Sequence, residues 1–324
     1  MPSLIGCATA VKIPVQIMHP AEVNMSPYKQ VVIGEMTGDM SQGFLGGLKE
    51  TLVEAKQFKV VDRSQLRQIL GELTLSHSDL ADSSKRLRIG KLLSSAVIFT
   101  GHVEGKYNED MTSENTRCKR AKGKDSEGKT IYEDYDCKYY KRQGVGTVTG
   151  SMDVVSVETG EIIKSKKISG VCTNKTTAKD ATPEPLDKEA ILSCALKEGL
   201  NIFTKAIIPW SETVYLAFAK DGALPTLEQG IRYVQINDYP NAMKVFKDTT
   251  KSAEMNPEIK AGTIAKAYWN LGLAYQCVSQ YDEALEAMKK AYVFKPDPAY
   301  LKGQENVKRM QSDLKELKNQ GVVK

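Results

Sequence analysis

The run from Phe58 to Gly105 constrains this chain most, because it dictates an alternation of strand and helix within fifty residues. It begins FKVVDRSQLRQIL, passes through a polar SHSDLADSS segment and continues KRLRIGKLLSSAVIFTGHVEG. Val60 and Val61 end a short β run. Ser64 is placed to cap a helix by accepting a bond from an early free N–H. Leu66, Ile69, Leu70 and Leu73 then recur at helical spacing. Ser83 or Ser84 caps a second helix with Leu87, Gly90 and Leu93 inward, and Ala96-Val97-Ile98-Phe99 has the compact apolar character of a buried central strand.

Further signals extend this pattern. Val11 to Val15 alternates and reads as an edge strand limited by Pro14. His19-Pro20-Ala21-Glu22 reads as a turn with His19 on the surface, and Val31-Val32-Ile33 as a strand. Ser41 starts a helix with Leu45, Leu48, Leu52 and Ala55 on one face. Gly46-Gly47 inside it suits close approach to a sheet; no Lys follows in a phosphate-loop pattern. Gly146 to Val157 and Glu161 to Cys172 read as a hairpin around Glu158-Thr159-Gly160. Leu186 to Ile208 is a helix, and Glu212 to Phe218 a strand that closes this domain. The expected fold class is α+β, a mixed sheet covered by helices, followed by an all-α module.

Lys106 to Arg142 breaks the pattern. Nearly half of it is charged, with both signs and interspersed tyrosines, so it reads as an exposed hairpin or loop rather than a nucleic-acid surface. Cys118 and Cys137 bracket a KGKDSEGK turn. Cys172 and Cys194 flank a strand and a helix, either paired or as reduced buried thiols. With Cys7 and Cys277 set aside, four cysteines allow three pairings, and proximity favours 118–137 and 172–194.

From about residue 222 the period changes. Gly230, Tyr233, Tyr239, Ala242 and Phe246 are matched some 42 residues later by Gly272, Tyr275, Tyr281, Ala284 and Met288. Leu271 and Ala291 add to the second unit and Pro296 closes it. Small residues let two antiparallel helices touch, and large ones fill the gaps. The spacing resembles the tetratricopeptide repeat, usually 34 residues long, so the first unit carries an extension. Asp297 to Leu317 supplies a closing helix.

The V-V-D-R-x-x-L-x-x-I-L run, the I-G-K-L-L helix and the V-I-F-T-G-x-V strand resemble the curli-secretion-channel (CsgG) family over about Lys29 to Ala219. That resemblance implies an α+β sandwich. In the channel members an insertion at residues 106–142 and a second after Gly170 form membrane-spanning hairpins. Here the first is charged on both faces and the second is short and polar, whereas a spanning strand needs about ten alternating residues with one apolar face. The family also implies a lipoprotein, for which Leu4-Ile5-Gly6-Cys7 resembles a lipobox with Cys7 acylated and Ala8 directing the chain to the outer membrane. Met1-Pro2-Ser3 supplies no basic n-region and no full apolar h-region, so either the signal peptide is truncated or the true start lies upstream.

No catalytic motif and no cofactor signature is found: there is no G-x-S-x-G, H-E-x-x-H or paired C-x-x-C. His102 reads as a core-edge residue. Net charge of +5 does not point to nucleic acid. The expected layout is a lipobox and edge strand over 1–28, a CsgG-like domain over 29–221 and a repeat module over 222–324. The expected role is a non-catalytic scaffold in envelope secretion or appendage assembly, anchored on the periplasmic face of the outer membrane. Its partners would be proteins bound through the repeats, the membrane through its anchor, and further copies of itself. The alternatives are an oligomeric secretion channel or collar, and a regulator of cell-wall or surface-polymer synthesis.

Overall fold

The structure is a computed structural model, and it describes residues 10–61 and 95–323. The expected helices from Ser64 and from Ser83 or Ser84, and the lipobox at Cys7, lie outside the described residues. The chain forms two compact units, one of residues 21–208 and one of residues up to 20 together with 209–324. This division differs from the one expected at 28 and 221, because the N-terminal strand and the last strand go with the C-terminal helices.

The 21–208 unit is a mixed five-stranded sheet. Strand β2 (Gln30–Thr37) lies between β3 (Lys59–Val61) and β4 (Ala96–Lys124) and is parallel to both. Strands β5 (Thr130–Ser156) and β6 (Ile162–Lys179) follow antiparallel, giving the order β3-β2-β4-β5-β6. Helix α1 (Ser41–Ala55) links β2 to β3, and α2 (Lys188–Ile207) starts at Asp187, whose carboxylate accepts from the Ala190 N–H at 2.9 Å.

The core lies between the root of the sheet and these helices. Val97, Phe99 and Val103 of β4, Val148, Met152 and Val154 of β5 and Ile168 of β6 are buried with Phe44, Leu48 and Leu52 of α1 and Phe203 of α2. Their period of two on the strands and about four on the helices is what one buried face of each demands. Phe203 meets the edge of Phe99 at 5.4 Å between ring centres. Phe44, not Leu45, leads the buried face of α1. Of the pair in α1, Gly47 serves α2 rather than the sheet, since a Cβ there would come within 2.5 Å of Leu200, whereas Gly46 faces open space. Helix α2 also seats closely on the strands, since a Cβ on Gly170 would lie 1.9 Å from the Ala195 carbonyl.

The other unit joins a two-stranded ribbon to helices. Strand β1 (Val11–His19) pairs antiparallel with β7 (Trp210–Phe218) from Val11–Phe218 to His19–Trp210. The expected edge strand thus runs on through Pro14, and β7 closes this ribbon rather than the main sheet. Five helices follow: α3 (Thr226–Gln235), α4 (Tyr239–Met255), α5 (Ala261–Cys277), α6 (Tyr281–Phe294) and α7 (Pro298–Asn319). The small and large positions work as spacers. A Cβ on Gly230 would meet Phe246 at 2.4 Å, and one on Gly272 would meet Met288 at 2.8 Å. Ala242, Phe246, Ala284, Met288 and Ala291 are fully buried, with Leu271 and Tyr275 nearly so. Part of the longer first period is in α4, which has 17 residues against 14 in α6.

Among the described residues, no helix is long and apolar enough to cross a membrane.

Candidate functional site

Two surfaces stand out, one in each unit. The first is an arm. Strands β4 and β5 have 29 and 27 residues, far more than the sheet root needs. Their ladder continues from Lys106–Thr147 to Lys124–Thr130, which at about 3.4 Å per residue projects roughly 60 Å. The segment expected as an exposed hairpin or loop is therefore a long β ribbon with one register shift, between Ala121 and Gly123. Its tip turns at Gly128, at φ 81°, with Asp125 Oδ1 accepting from the N–H groups of Glu127 and Lys129. Strand β6 runs beside it as far as Lys179, past the expected end at Cys172. There Asp180 closes the ladder, its carboxylate accepting from the Lys138 N–H at 2.7 Å.

Both faces of the arm are polar. On one face Cys118 and Cys137 form a disulfide. Arg120 pairs with Glu133 at 2.7 Å and lies 5.3 Å from the Tyr135 ring centre, with Lys179 Nζ at 4.8 Å from the same ring. On the other face Tyr107 donates to Glu109, which also takes Arg142 at 2.5 Å. The Tyr107 bond, then Arg142, holds the Glu109 carboxyl below its ordinary range. Among the described residues, the β4 edge has no partner strand beyond His102, where β2 ends. His102 itself bonds to Thr37 and Glu104 on an exposed surface. A second disulfide, Cys172–Cys194, ties β6 to α2.

The second surface belongs to the helices. One face of α5 is already occupied by the ribbon. Trp269 Nε1 donates to the Ala217 carbonyl at 3.1 Å. Buried Asn270 bonds both backbone groups of Ala219, its Oδ1 accepting at 2.7 Å and its Nδ2 donating at 2.8 Å. Thr263 and Lys266 hold Asp221 at 3.1 and 2.9 Å. Burial raises the Asp221 carboxyl, but Lys266, the Ala223 N–H and Thr263 outweigh it and leave it below its ordinary range. Residues 263, 266, 269 and 270 share one helical face, and that face binds the chain's own segment from Ala217 to Asp221.

His19, expected on the surface, is mostly buried at the far end of the ribbon. Its ring stacks on Trp210 at 4.4 Å, Nδ1 meets Asp313 at 2.9 Å and Nε2 meets Glu212 at 3.2 Å. The helical period of α7 and the alternation of β1 gave no sign of this meeting, since it joins residues 294 apart.

The opposite side of α5 borders a groove. Tyr268, Leu271 and Tyr275 floor a groove of about 410 Å³ rimmed by Asp282, Glu283, Glu286 and Lys290 of α6. Lys247 of α4 lies 5.3 Å from the Tyr275 ring centre, and Lys290 lies 5.0 Å from that of Tyr268. Tyr268 also donates to Glu254 at 2.6 Å. Burial, then Glu254, pushes its hydroxyl above the usual range. Tyr233, Tyr239 and Tyr281 pack around the same helical core, and Pro296 follows α6. The free thiol of Cys277 is pushed up to about 12 by burial.

The family model of the curli production assembly/transport component CsgG matches residues 9–182, more than half of the chain. The chain belongs to the CsgG family. Its root sheet and the long β4–β5 arm lie inside the matched residues, whereas α3 to α7 lie outside them. No curated protein matches the sequence. Among solved structures, the C-terminal domain of LpoB from Salmonella enterica aligns at 17% identity and a TM-score of 0.25, over 44% of this chain and 82% of that one. Lipoprotein GNA1162 from Neisseria meningitidis aligns at 10% identity and a TM-score of 0.29, over 55% of this chain and 99% of that one.

Proposed function

We propose that this CsgG-family protein is a lipid-anchored, periplasm-facing outer-membrane protein that acts as a non-catalytic scaffold in an envelope secretion or appendage-assembly system. The observation that carries the reading is the arm. It is long, bridged by a disulfide, and polar on both faces, so it offers contact surface to a protein rather than to lipid. A lipid-facing strand would carry an apolar residue at every second position, and a cation there at the bilayer midplane costs about 2–4 kcal/mol. Two disulfides also suit an oxidising compartment.

The helices α3 to α6 read as two tetratricopeptide-type pairs, with α7 as the closing helix. Because one face of α5 holds the ribbon, the partner surface of this module is the groove over Tyr268 and Tyr275. Cys7 supplies the anchor.

A ring or collar of several copies is the second reading. It is favoured by the outer edges of β4 and β6, which among the described residues have no partner strand along the arm and could each accept a neighbouring one. Light scattering of the lipidated, detergent-solubilised protein after gel filtration separates the two. A monomer or dimer mass is expected for the scaffold; a mass of many protomers would replace it with the collar.

A further inference from the structure

The last helix carries an uneven charge. Along α7 the exposed residues include Lys302, Lys308, Arg309, Lys315 and Lys318, against one exposed acid, Glu305. The other two acids are partly buried and engaged: Asp313 holds His19 at 2.9 Å, and Glu316 accepts from Asn319 at 3.2 Å. The exposed residues of α7 therefore carry five cations against one acid, with Glu316 partly buried beside them, so its solvent face is net cationic.

The same helix runs alongside β1, in the same direction. Tyr300 in its first turn packs on Trp269 at 5.2 Å. Trp269 bonds Ala217, the register partner of Lys12 near the start of β1. Thirteen residues after Tyr300, Asp313 reaches His19 at the end of β1. Now Cys7 lies four residues before Val11, where β1 begins. At no more than about 3.6 Å per residue, that tether spans at most roughly 14 Å. An acyl group on Cys7 would thus hold the ribbon, and α7 beside it, within one short tether of the bilayer.

We infer that the cationic face of α7 is a docking surface for an anionic phospholipid leaflet. The inference rests on the anchored reading of Cys7. Clustered Lys and Arg close to an anionic surface each add to binding, and the attraction falls off within a Debye length of about 8 Å at physiological salt. The short tether is what favours lipid over a soluble polyanion.

The test uses the full chain as Cys7→Ser, so that no acyl group contributes. Sedimentation with vesicles of phosphatidylethanolamine and phosphatidylglycerol should exceed sedimentation with phosphatidylcholine vesicles at least about tenfold at low salt, and weaken as salt rises. Combined Lys308→Glu, Arg309→Glu and Lys315→Glu should remove most of that binding. Lys119→Glu, Lys122→Glu and Lys124→Glu on the arm should leave it unchanged, with circular dichroism melting showing both variants folded. Equal binding to neutral vesicles, loss of binding in the arm variant, or capture by heparin without vesicle binding would each overturn the proposal. The anchor is read separately, by mass spectrometry of the membrane-extracted protein. An unmodified Cys7 with lipid binding intact removes the tether reading but not the α7 surface. An acylated Cys7 with binding insensitive to α7 removes the surface but not the tether.

Discussion

The root and the arm of β4 and β5 are one hydrogen-bonded ladder with two different reasons to exist. At the root, Phe99, Val103, Val148 and Met152 are fully buried under α1 and α2. In the arm, Met111 and Tyr132 are more than half exposed, and order comes from backbone pairing, one disulfide and ion pairs. Backbone pairing is enough to continue a strand once its root is fixed, but it contributes little stability of its own, because water competes for the same groups. The root therefore sets whether the unit folds, and the arm sets what it presents.

The largest expected contrast is between two aromatic deletions. Phe203→Ala should destabilise the sheet unit by about 3–5 kcal/mol in denaturant unfolding, through lost burial and a cavity against Phe99. Tyr132→Ala, 62% exposed in the arm, should change it by no more than about 0.5 kcal/mol. Equal losses would mean that the arm is packed against something in solution.

The disulfides should separate in the same way. Replacing both Cys172 and Cys194 by Ser frees β6 from α2 and should cost about 2–4 kcal/mol of global stability. Replacing Cys118 and Cys137 should leave the melting of the unit nearly unchanged while exposing residues 106–142 to limited proteolysis. Global loss from the second pair would show that the arm folds as part of the core.

Glycines sharpen the comparison further. Gly170→Ala places a methyl against the Ala195 carbonyl and should cost about 1–3 kcal/mol as α2 shifts. Gly123→Ala in the arm meets nothing within 4 Å and should stay within about 0.5 kcal/mol.

The smallest effects are electrostatic. Glu133→Gln removes the exposed pairs with Arg120 and Lys122, and should cost less than about 1 kcal/mol and less still in high salt. At the root, Glu22 bonds to Lys166, and with Lys164 this lowers its carboxyl below the ordinary range. A carboxyl lowered by folding contributes stability that is present above its unfolded value and lost as pH falls through the folded one. Glu22→Gln should therefore flatten the acid limb of the stability profile by lowering stability slightly at neutral pH, and leave the most acidic region, where Glu22 is already protonated, almost unchanged.

Much of this was legible in the residues. The β6 return after Gly160, the helix capped at Asp187 and the small–large spacing of Gly230, Phe246, Gly272 and Met288 are local patterns, and local patterns fix local geometry. The arm was legible as a hairpin but not as a strand pair, because charged residues on both sides carry no alternation. Its regularity is inherited from the register set at the root. The cationic face of α7 was visible only as a Lys- and Glu-rich helix, until the partial burial of Asp313 and Glu316 showed which charges are most exposed.

The sequence by itself determined the periods: alternating strands and a buried apolar run up to Phe218, then helices that touch through Gly and Ala. Tertiary structure alone decided where two of those strands belong. Val11–Val15 read as an edge strand and Glu212–Phe218 as the strand closing the sheet domain, yet they belong to strands that pair with each other across some two hundred residues, the second giving its Ala217 carbonyl to Trp269. A strand's alternation states that one face is buried but not against what, and its open edge can satisfy any neighbour of matching register. That choice depends on contacts far apart in the chain, which no window of sequence contains.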